Sequence, residues 1–196
     1  DGDAMVLPTR RLLEILGQLR EAFPDLQRVS SYCLPRNLAK KSVEELAQLK
    51  DAGLEILYVG MESGDDEILR RVNKGETWES TRSALLKIRE AGLTSSVMVL
   101  NGLGGENLSR QHAINTATLC NETQPDYLST LVVSFPQGEE RFREGFGDDF
   151  VPLSQKGLFE EIRLFLEHLE LDKTIFRSDH ASNYLVLKGT LGRDKQ

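Results

Sequence analysis

Apolar positions along the chain follow two alternating rhythms, one helical and one extended. Leu12, Leu13, Ile15, Leu16 and Leu19 recur at helical spacing behind Thr9, which predicts a helix capped by that threonine. Arg28 to Cys33 (RVSSYC) reads as a short strand. Ser42-Val-Glu-Glu45 is a capping box, so a second helix runs from it to a glycine stop at Gly53. Leu54 to Val59 is a continuous apolar strand, and Asp65 and Asp66 open a short helix whose dipole they suit. Thr77 starts a helix that buries Trp78, Leu85 and Ile88 and stops at Gly92. A strand over Ser96 to Leu100, a helix over Ser109 to Asn121 and a strand over Tyr127 to Val133 come next. Residues 136–154 form a polar and aromatic connection. Ser154 caps an amphipathic helix through Leu171, and Thr174 to Arg177 and Tyr184 to Leu187 read as strands.

The alternation carries a weak repeat. LKDAGLEILYVG and IREAGLTSSVMV place the same Ala-Gly-Leu at 52–54 and 91–93, each between a helix and a buried strand. One helix and one strand per period selects βα units and a parallel sheet. Right-handed crossovers roll such units into a barrel or an open sheet. A closed eight-unit barrel takes about 250 residues. Four or five units therefore predict an α/β fold of TIM-like type, a partial (β/α) barrel truncated at its N-terminus. The core is expected over 1–135, with an extension over 136–196 that completes the barrel with a helix and strands.

Composition narrows the function classes. With 39% hydrophobic and 28% charged residues, the 196-residue chain reads as an ordinary soluble domain. A formal net charge of −7 argues against a broad nucleic-acid face. No apolar run nears the roughly 18 residues of a membrane span, so no membrane partner and a cytoplasmic location are expected. Two isolated cysteines, Cys33 and Cys120, make neither a disulfide framework nor a metal cluster, and both read as buried hydrophobes. No residue is assigned as a metal ligand. The opening DGDAMVLP lacks an initiator methionine, as if cut from something longer.

In a parallel sheet, ligands bind at the carboxyl ends of the strands. Polar and glycine-rich groups fall at those ends: Asp1-Gly2-Asp3, Ser31-Tyr32, Glu62-Ser63-Gly64, Asn101 to Glu106, and Ser134. Glu62 and Ser63 can face a ligand or cap the next helix. The Gly102-Leu-Gly104-Gly-Glu106 loop resembles a phosphate cradle but lacks a Walker lysine and the third glycine of a dinucleotide fingerprint. Arg71 and Lys74 can meet an anion or simply finish a helix. His112 and His168 read as surface or packing residues. Asp179, His180 and Asn183 in FRSDHASN are candidates for substrate binding, with a hydrogen-bonded turn as the other reading.

Taken together, LYVGMESGDDEILRRVNKGET and VMVLNGLGGEN resemble the core of the radical S-adenosylmethionine superfamily, in order and spacing, over about residues 1–135. FRSDHASNY resembles the tail of its iron–sulfur oxidoreductase, coproporphyrinogen-oxidase-like branch. The resemblance implies a six-stranded partial barrel carrying S-adenosylmethionine and a [4Fe–4S] cluster, which together generate a radical that abstracts hydrogen from a substrate. By the same resemblance Asp1, Gly2 and Asp3 hold the methionyl amine. Glu62, with Ser63 and Gly64, meets the ribose, and Leu100, Asn101, Gly102 and Gly104 lie along the adenine. The family's CxxxCxxC is missing here. The expectation is thus a cluster-less part of a radical enzyme, inactive alone, with the cluster in the parent protein. The rival readings are a degenerate barrel acting as scaffold and an ordinary barrel enzyme acting on a phosphorylated metabolite. An exposed barrel edge also predicts pairing between two chains.

Overall fold

The computed structural model describes residues 2–195, so Asp1 lies outside the described residues. Its helices are α1 (Thr9–Ala22), α2 (Pro35–Leu38), α3 (Val43–Asp51), α4 (Asp66–Arg71), α5 (Trp78–Glu90), α6 (Gly105–Thr123), α7 (Glu140–Phe146) and α8 (Gln155–His168). The strands are β1 (Val29–Cys33), β2 (Leu54–Glu62), β3 (Thr94–Asn101), β4 (Tyr127–Val132), β5 (Ile175–Arg177) and β6 (Lys188–Thr190). They form one six-stranded sheet in sequence order. The fold is α/β, a partial (β/α) barrel. By contact density it divides into two compact units, Asp1–Gly60 with Glu79–Val97, and Met61–Trp78 with Met98–Gln196. The division interleaves along the chain, and position 135/136 falls inside the second unit.

In the first unit, β1 pairs parallel to β2, from Val29 opposite Leu54 to Cys33 opposite Val59, with a register shift after Val29. The Ser42 capping box forms as expected: Ser42 Oγ accepts from Glu45 N and the Glu45 carboxylate accepts from Ser42 N. Leu12 and Leu16 of α1, Leu46 and Leu49 of α3, and Leu85 and Ile88 of α5 are buried. Each such side chain contributes about 1.5–3 kcal/mol relative to exposure. Thr9 is not the cap of α1. Pro8 takes that position, without a side-chain bond, because its fixed φ suits a helix start and its missing N–H costs nothing there.

In the second unit, α6 packs on α8. The packed face of α6 carries the small residues Ala113, Thr116, Ala117 and Cys120, all buried, which lets neighbours come close. β4 pairs parallel to β5, and β5 pairs antiparallel to β6, Ile175 opposite Thr190. The last strand is therefore Lys188–Thr190 and not Tyr184–Leu187. Ser178 Oγ donates to Leu185 O and accepts from Leu187 N, which bends 184–187 into a loop with Tyr184 and Val186 exposed. The 136–154 connection also differs from expectation, because it contains α7. Phe135, Phe142, Phe146 and Phe150 cluster there with ring centroids 4.6–6.1 Å apart, an apolar nucleus that helical periodicity over so few residues does not reveal. Among the described residues, no helix is long and apolar enough to cross a membrane.

Candidate functional site

In the second unit, β2 ends at Glu62, whose φ is +59°, a left-handed conformation that costs a residue bearing a side chain about 1–2 kcal/mol. Two hydrogen bonds donated by backbone N–H groups on its C-terminal side over-determine the turn. Ser63 N donates to Met61 O at 2.7 Å, and Gly64 N donates to Thr116 Oγ1 on α6 at 2.9 Å. A Cβ at Gly64 would sit 2.6 Å from Asn115 O, so only glycine lets the turn lie against α6. Gly64 is thus a packing glycine, and its position says nothing about a ligand. Asp65 caps α4 through Ile68 N at 3.0 Å, while its other oxygen accepts from Gln111 and Asn115.

These contacts turn Glu62 and Ser63 in different directions. Ser63 is fully buried, and its Oγ lies 2.8 Å from His112 Nδ1 and accepts from Asp65 N. The hydroxyl that the resemblance aims at a ribose is held inside the protein instead. Glu62 keeps a side chain 22% exposed, and its Oε1 accepts from Lys74 Nζ at 2.8 Å. Lys74 is itself 17% exposed, so the pair is partly screened from water. Among the described residues, Lys74 is the partner of that carboxylate, which leaves Oε2 to accept from a ligand. The Asn73-Lys74-Gly75 motif provides this lysine at a turn where Asn73 also has positive φ. Arg71 does not join them. Its guanidinium donates to Glu67 and Asp149, and these bonds, Glu67 first, raise its pKa.

The exit of β3 is braced from beneath. Asn101 is the last strand residue and is buried. Gly102 takes φ +82° and donates its N–H to Glu161 Oε1 at 2.6 Å, while Ser109 Oγ donates to Glu161 Oε2. Glu161 stands on α8 in the apolar stripe of Leu158, Ile162 and Phe165 and is only 3% exposed. A carboxylate interrupting such a stripe was the available sequence signal for this brace. Leu103 N and Gly105 N bond to Leu100 O and Gly102 O, and Glu106 N bonds to Val151 O. With these amides committed and a buried carboxylate below them, the loop is no phosphate cradle. Leu158 Cδ2 and Ile68 Cδ1 each lie 3.0 Å from where a Cβ would stand on Gly102 and Gly104 respectively. Both glycines serve packing.

A shallow groove nearby is lined by Asn101, Val132, Leu158, Phe159, Ile162, Asn183, Tyr184 and Leu185. It brings Asn183 and Asn101 together, and Asn183 Nδ2 also donates to Thr130 O. His180 is exposed and bonded within its own loop to Ser182, whose Oγ in turn accepts from Val132 N. Asp179 pairs with Lys188 at 3.1 Å, and that hydrogen bond lowers its pKa. The hydrogen-bonded turn accounts for Asp179 and His180. Asn183 alone of the three reaches the groove.

In the first unit, Gly2 has open space around it, and Asp3 is engaged from several sides. Its Oδ1 accepts from Met5 N at 2.8 Å, and its Oδ2 accepts from Leu34 N at 2.5 Å and Asn37 Nδ2 at 2.7 Å. Three donors use most of a carboxylate's four acceptor directions. The acid primarily ties its own turn to the exit of β1.

Residues 3–117 match the family model described as the Radical SAM superfamily. The chain belongs to that superfamily, whose members use S-adenosylmethionine and a [4Fe–4S] cluster. Among curated proteins it is 26% identical over 110 residues to the heme chaperone HemW of Bacillus subtilis, covering 55% of this chain. It is likewise 26% identical over 125 residues, 62% of this chain, to a probable threonylcarbamoyladenosine tRNA methylthiotransferase of Methanocaldococcus jannaschii. The chain spans 28% of the length of both relatives. Among solved structures, the coproporphyrinogen III oxidase HemN of Escherichia coli superposes with a TM-score of 0.68 at 22% identity, over 85% of this chain and 38% of that one. Elp3 of Methanocaldococcus infernus gives the same TM-score at 14% identity, over 92% of this chain and 47% of the other. These two likenesses concern the fold.

The described residues fit the two cofactors unequally. Glu62 offers a partly exposed carboxylate oxygen at a strand exit, which suits vicinal hydroxyls. For the cluster they do not fit. Among the described residues no group of three or more His, Cys, Asp or Glu side chains can hold a metal ion. Both cysteines are buried and outside any disulfide, and burial pushes the Cys120 thiol up to about 12, far from the thiolate that iron requires.

Proposed function

We propose that this chain forms the nucleoside-binding part of a radical S-adenosylmethionine enzyme, with Glu62 as the ribose ligand and the cluster thiolates supplied from outside these 196 residues. When bound, the cofactor pair supplies a 5′-deoxyadenosyl radical that abstracts hydrogen from an organic substrate. The chain's own residues bind and orient. Lys74 restrains Glu62 through Oε1, so that Oε2 can accept from the 2′- and 3′-hydroxyls without reorganising. The 100–102 segment, fixed through Gly102 by Glu161, supplies an apolar and backbone edge for the adenine, with Asn101 at its end. The similarity to HemW supports the coproporphyrinogen-oxidase-like branch.

The observation that carries this reading is the positive φ of Glu62. A scaffold has no reason to keep a glutamate in a conformation that glycine adopts freely, whereas a ligand that needs a carboxylate there does. The test is a titration of the 196-residue chain with S-adenosylhomocysteine, monitored by amide chemical shifts. Wild type is expected to bind with shifts at Glu62 and Asn101. Glu62→Ala should weaken binding at least about ten-fold, since a hydrogen bond to a charged group contributes about 1.5–3 kcal/mol. Equal affinity of the two proteins, or no binding by wild type, overturns the assignment. The chain alone should also hold no stoichiometric iron after anaerobic reconstitution, and a bound cluster would refute the claim that its ligands lie elsewhere.

A further inference from the structure

His112 sits in the second turn of α6, is 2% exposed and has no part in the chemistry described above. Its two ring nitrogens contact the two strand exits of the proposed nucleoside site. Nε2 lies 3.0 Å from Leu100 O, immediately before Asn101. Nδ1 lies 2.8 Å from Ser63 Oγ, immediately after Glu62. A carbonyl oxygen only accepts, so Nε2 carries the proton. In the neutral ring Nδ1 is then bare and accepts the Ser63 hydroxyl proton. Ser63 Oγ uses a lone pair to accept from Asp65 N at 3.0 Å. In that tautomer the chain of bonds has one direction, Asp65 N–H to Ser63 O–H to His112 Nδ1, with His112 Nε2–H to Leu100 O at its far end. Thr116, one turn further along α6, holds the neighbouring Gly64 N–H in the same way.

We propose that His112 is a positioning residue for nucleoside binding: as the neutral, Nε2-protonated tautomer it locks the Glu62-Ser63 turn and the Leu100-Asn101 exit in one fixed relation. The inference rests on the proposed site and adds the residue that sets its geometry. The two exits belong to different strands, and a hydrogen bond has narrow limits of distance and angle. A single aromatic ring with a donor and an acceptor on opposite edges imposes both limits at once. Glutamine can reproduce the Nε2 contact but not the Nδ1 contact with it, because both of its polar atoms stand at the ε position whereas the imidazole presents one nitrogen at δ and one at ε. This arrangement also explains why Ser63, adjacent to a ligand-facing acid, is itself turned inward.

The experiment uses the 196-residue chain in three forms: wild type, Ser63→Ala and His112→Gln. Imidazole nitrogen-15 spectra come first. The expected signature is a pyrrole-type Nε2 and a pyridine-type Nδ1 in wild type, with Nδ1 shifted by Ser63→Ala. A pyridine-type Nε2 or a doubly protonated ring at neutral pH overturns the proposal. S-adenosylhomocysteine titrations then follow at matched thermal stability. Ser63→Ala, which leaves Glu62 and the Leu100 bond intact, should weaken binding about five- to ten-fold, and His112→Gln should weaken it more. Affinity equal to wild type in both folded variants overturns the positioning role while the Glu62 assignment stands. Absence of binding in wild type overturns the assignment itself, and the positioning role falls with it.

Discussion

Two acidic turns, one in each compact unit, carry carboxylates that look alike in sequence and behave differently in the fold. Asp3 accepts three hydrogen bonds, two from backbone N–H groups and one from a side-chain amide, and so builds the junction between its own turn and the exit of β1. Glu62 has one cationic partner, keeps an oxygen available and holds a left-handed backbone. A carboxylate surrounded by fixed donors is a structural element. One that is restrained on one side only, at a conformational cost, is the kind of group that the proposed ribose contact requires.

The largest effect that separates the two is on stability. Asp3→Ala should destabilise the chain by about 1.5–3 kcal/mol in urea unfolding, because three part-buried donors lose a charged acceptor. Glu62→Ala should change stability by less than about 1 kcal/mol, the range of a partly exposed ion pair. Equal losses would erase the distinction. Gly64→Ala probes the ground on which Glu62 stands. Its Cβ would meet backbone atoms of Asn115 and Thr116 at 2.6–2.9 Å, so a loss of about 1–3 kcal/mol is expected in the same assay.

Glu62→Gly tests the contrast by sign. Relief of the positive φ should leave stability unchanged or raise it by up to about 1 kcal/mol, while S-adenosylhomocysteine binding is lost. A clear destabilisation would show that the carboxylate serves the fold. The smallest effect concerns pH. The folded Cys120 thiol ionises at about 12 against an ordinary value of 9.0, so the unfolded chain releases that proton first. The contribution of this thiol is fully present below pH 9 and is lost as pH rises from 9 to about 12. Cys120→Ala should flatten that alkaline slope in pH-dependent thermal melts, without touching ligand affinity at neutral pH.

Most of the fold was legible because its signals are local. The Ser42 capping box, the Asp65 cap and the glycines at 53 and 92, both at positive φ, each act within one turn of chain. The parallel βα order came from one helix and one strand per repeat. The α7 segment and the true position of β6 were not legible. An aromatic cluster and the Ser178 bonds to 185 and 187 decide them, and both depend on which residues meet in space.

Function divided in the same way. The resemblance of its motifs pointed to the superfamily that the family model shows, and residue type and spacing gave the acid at the end of β2 and the lack of a cysteine triad in these 196 residues. They did not distinguish Glu62 from Ser63, adjacent residues with opposite directions, nor explain Gly64, Gly102 and Gly104. It took the packed fold to turn Ser63 inward to His112, to bring Glu161 beneath Gly102 and to commit Asp3 largely to the exit of β1. Each of those outcomes depends on a partner more than 30 positions away, and a hydrogen bond exists only when folding brings both of its ends within about 3 Å.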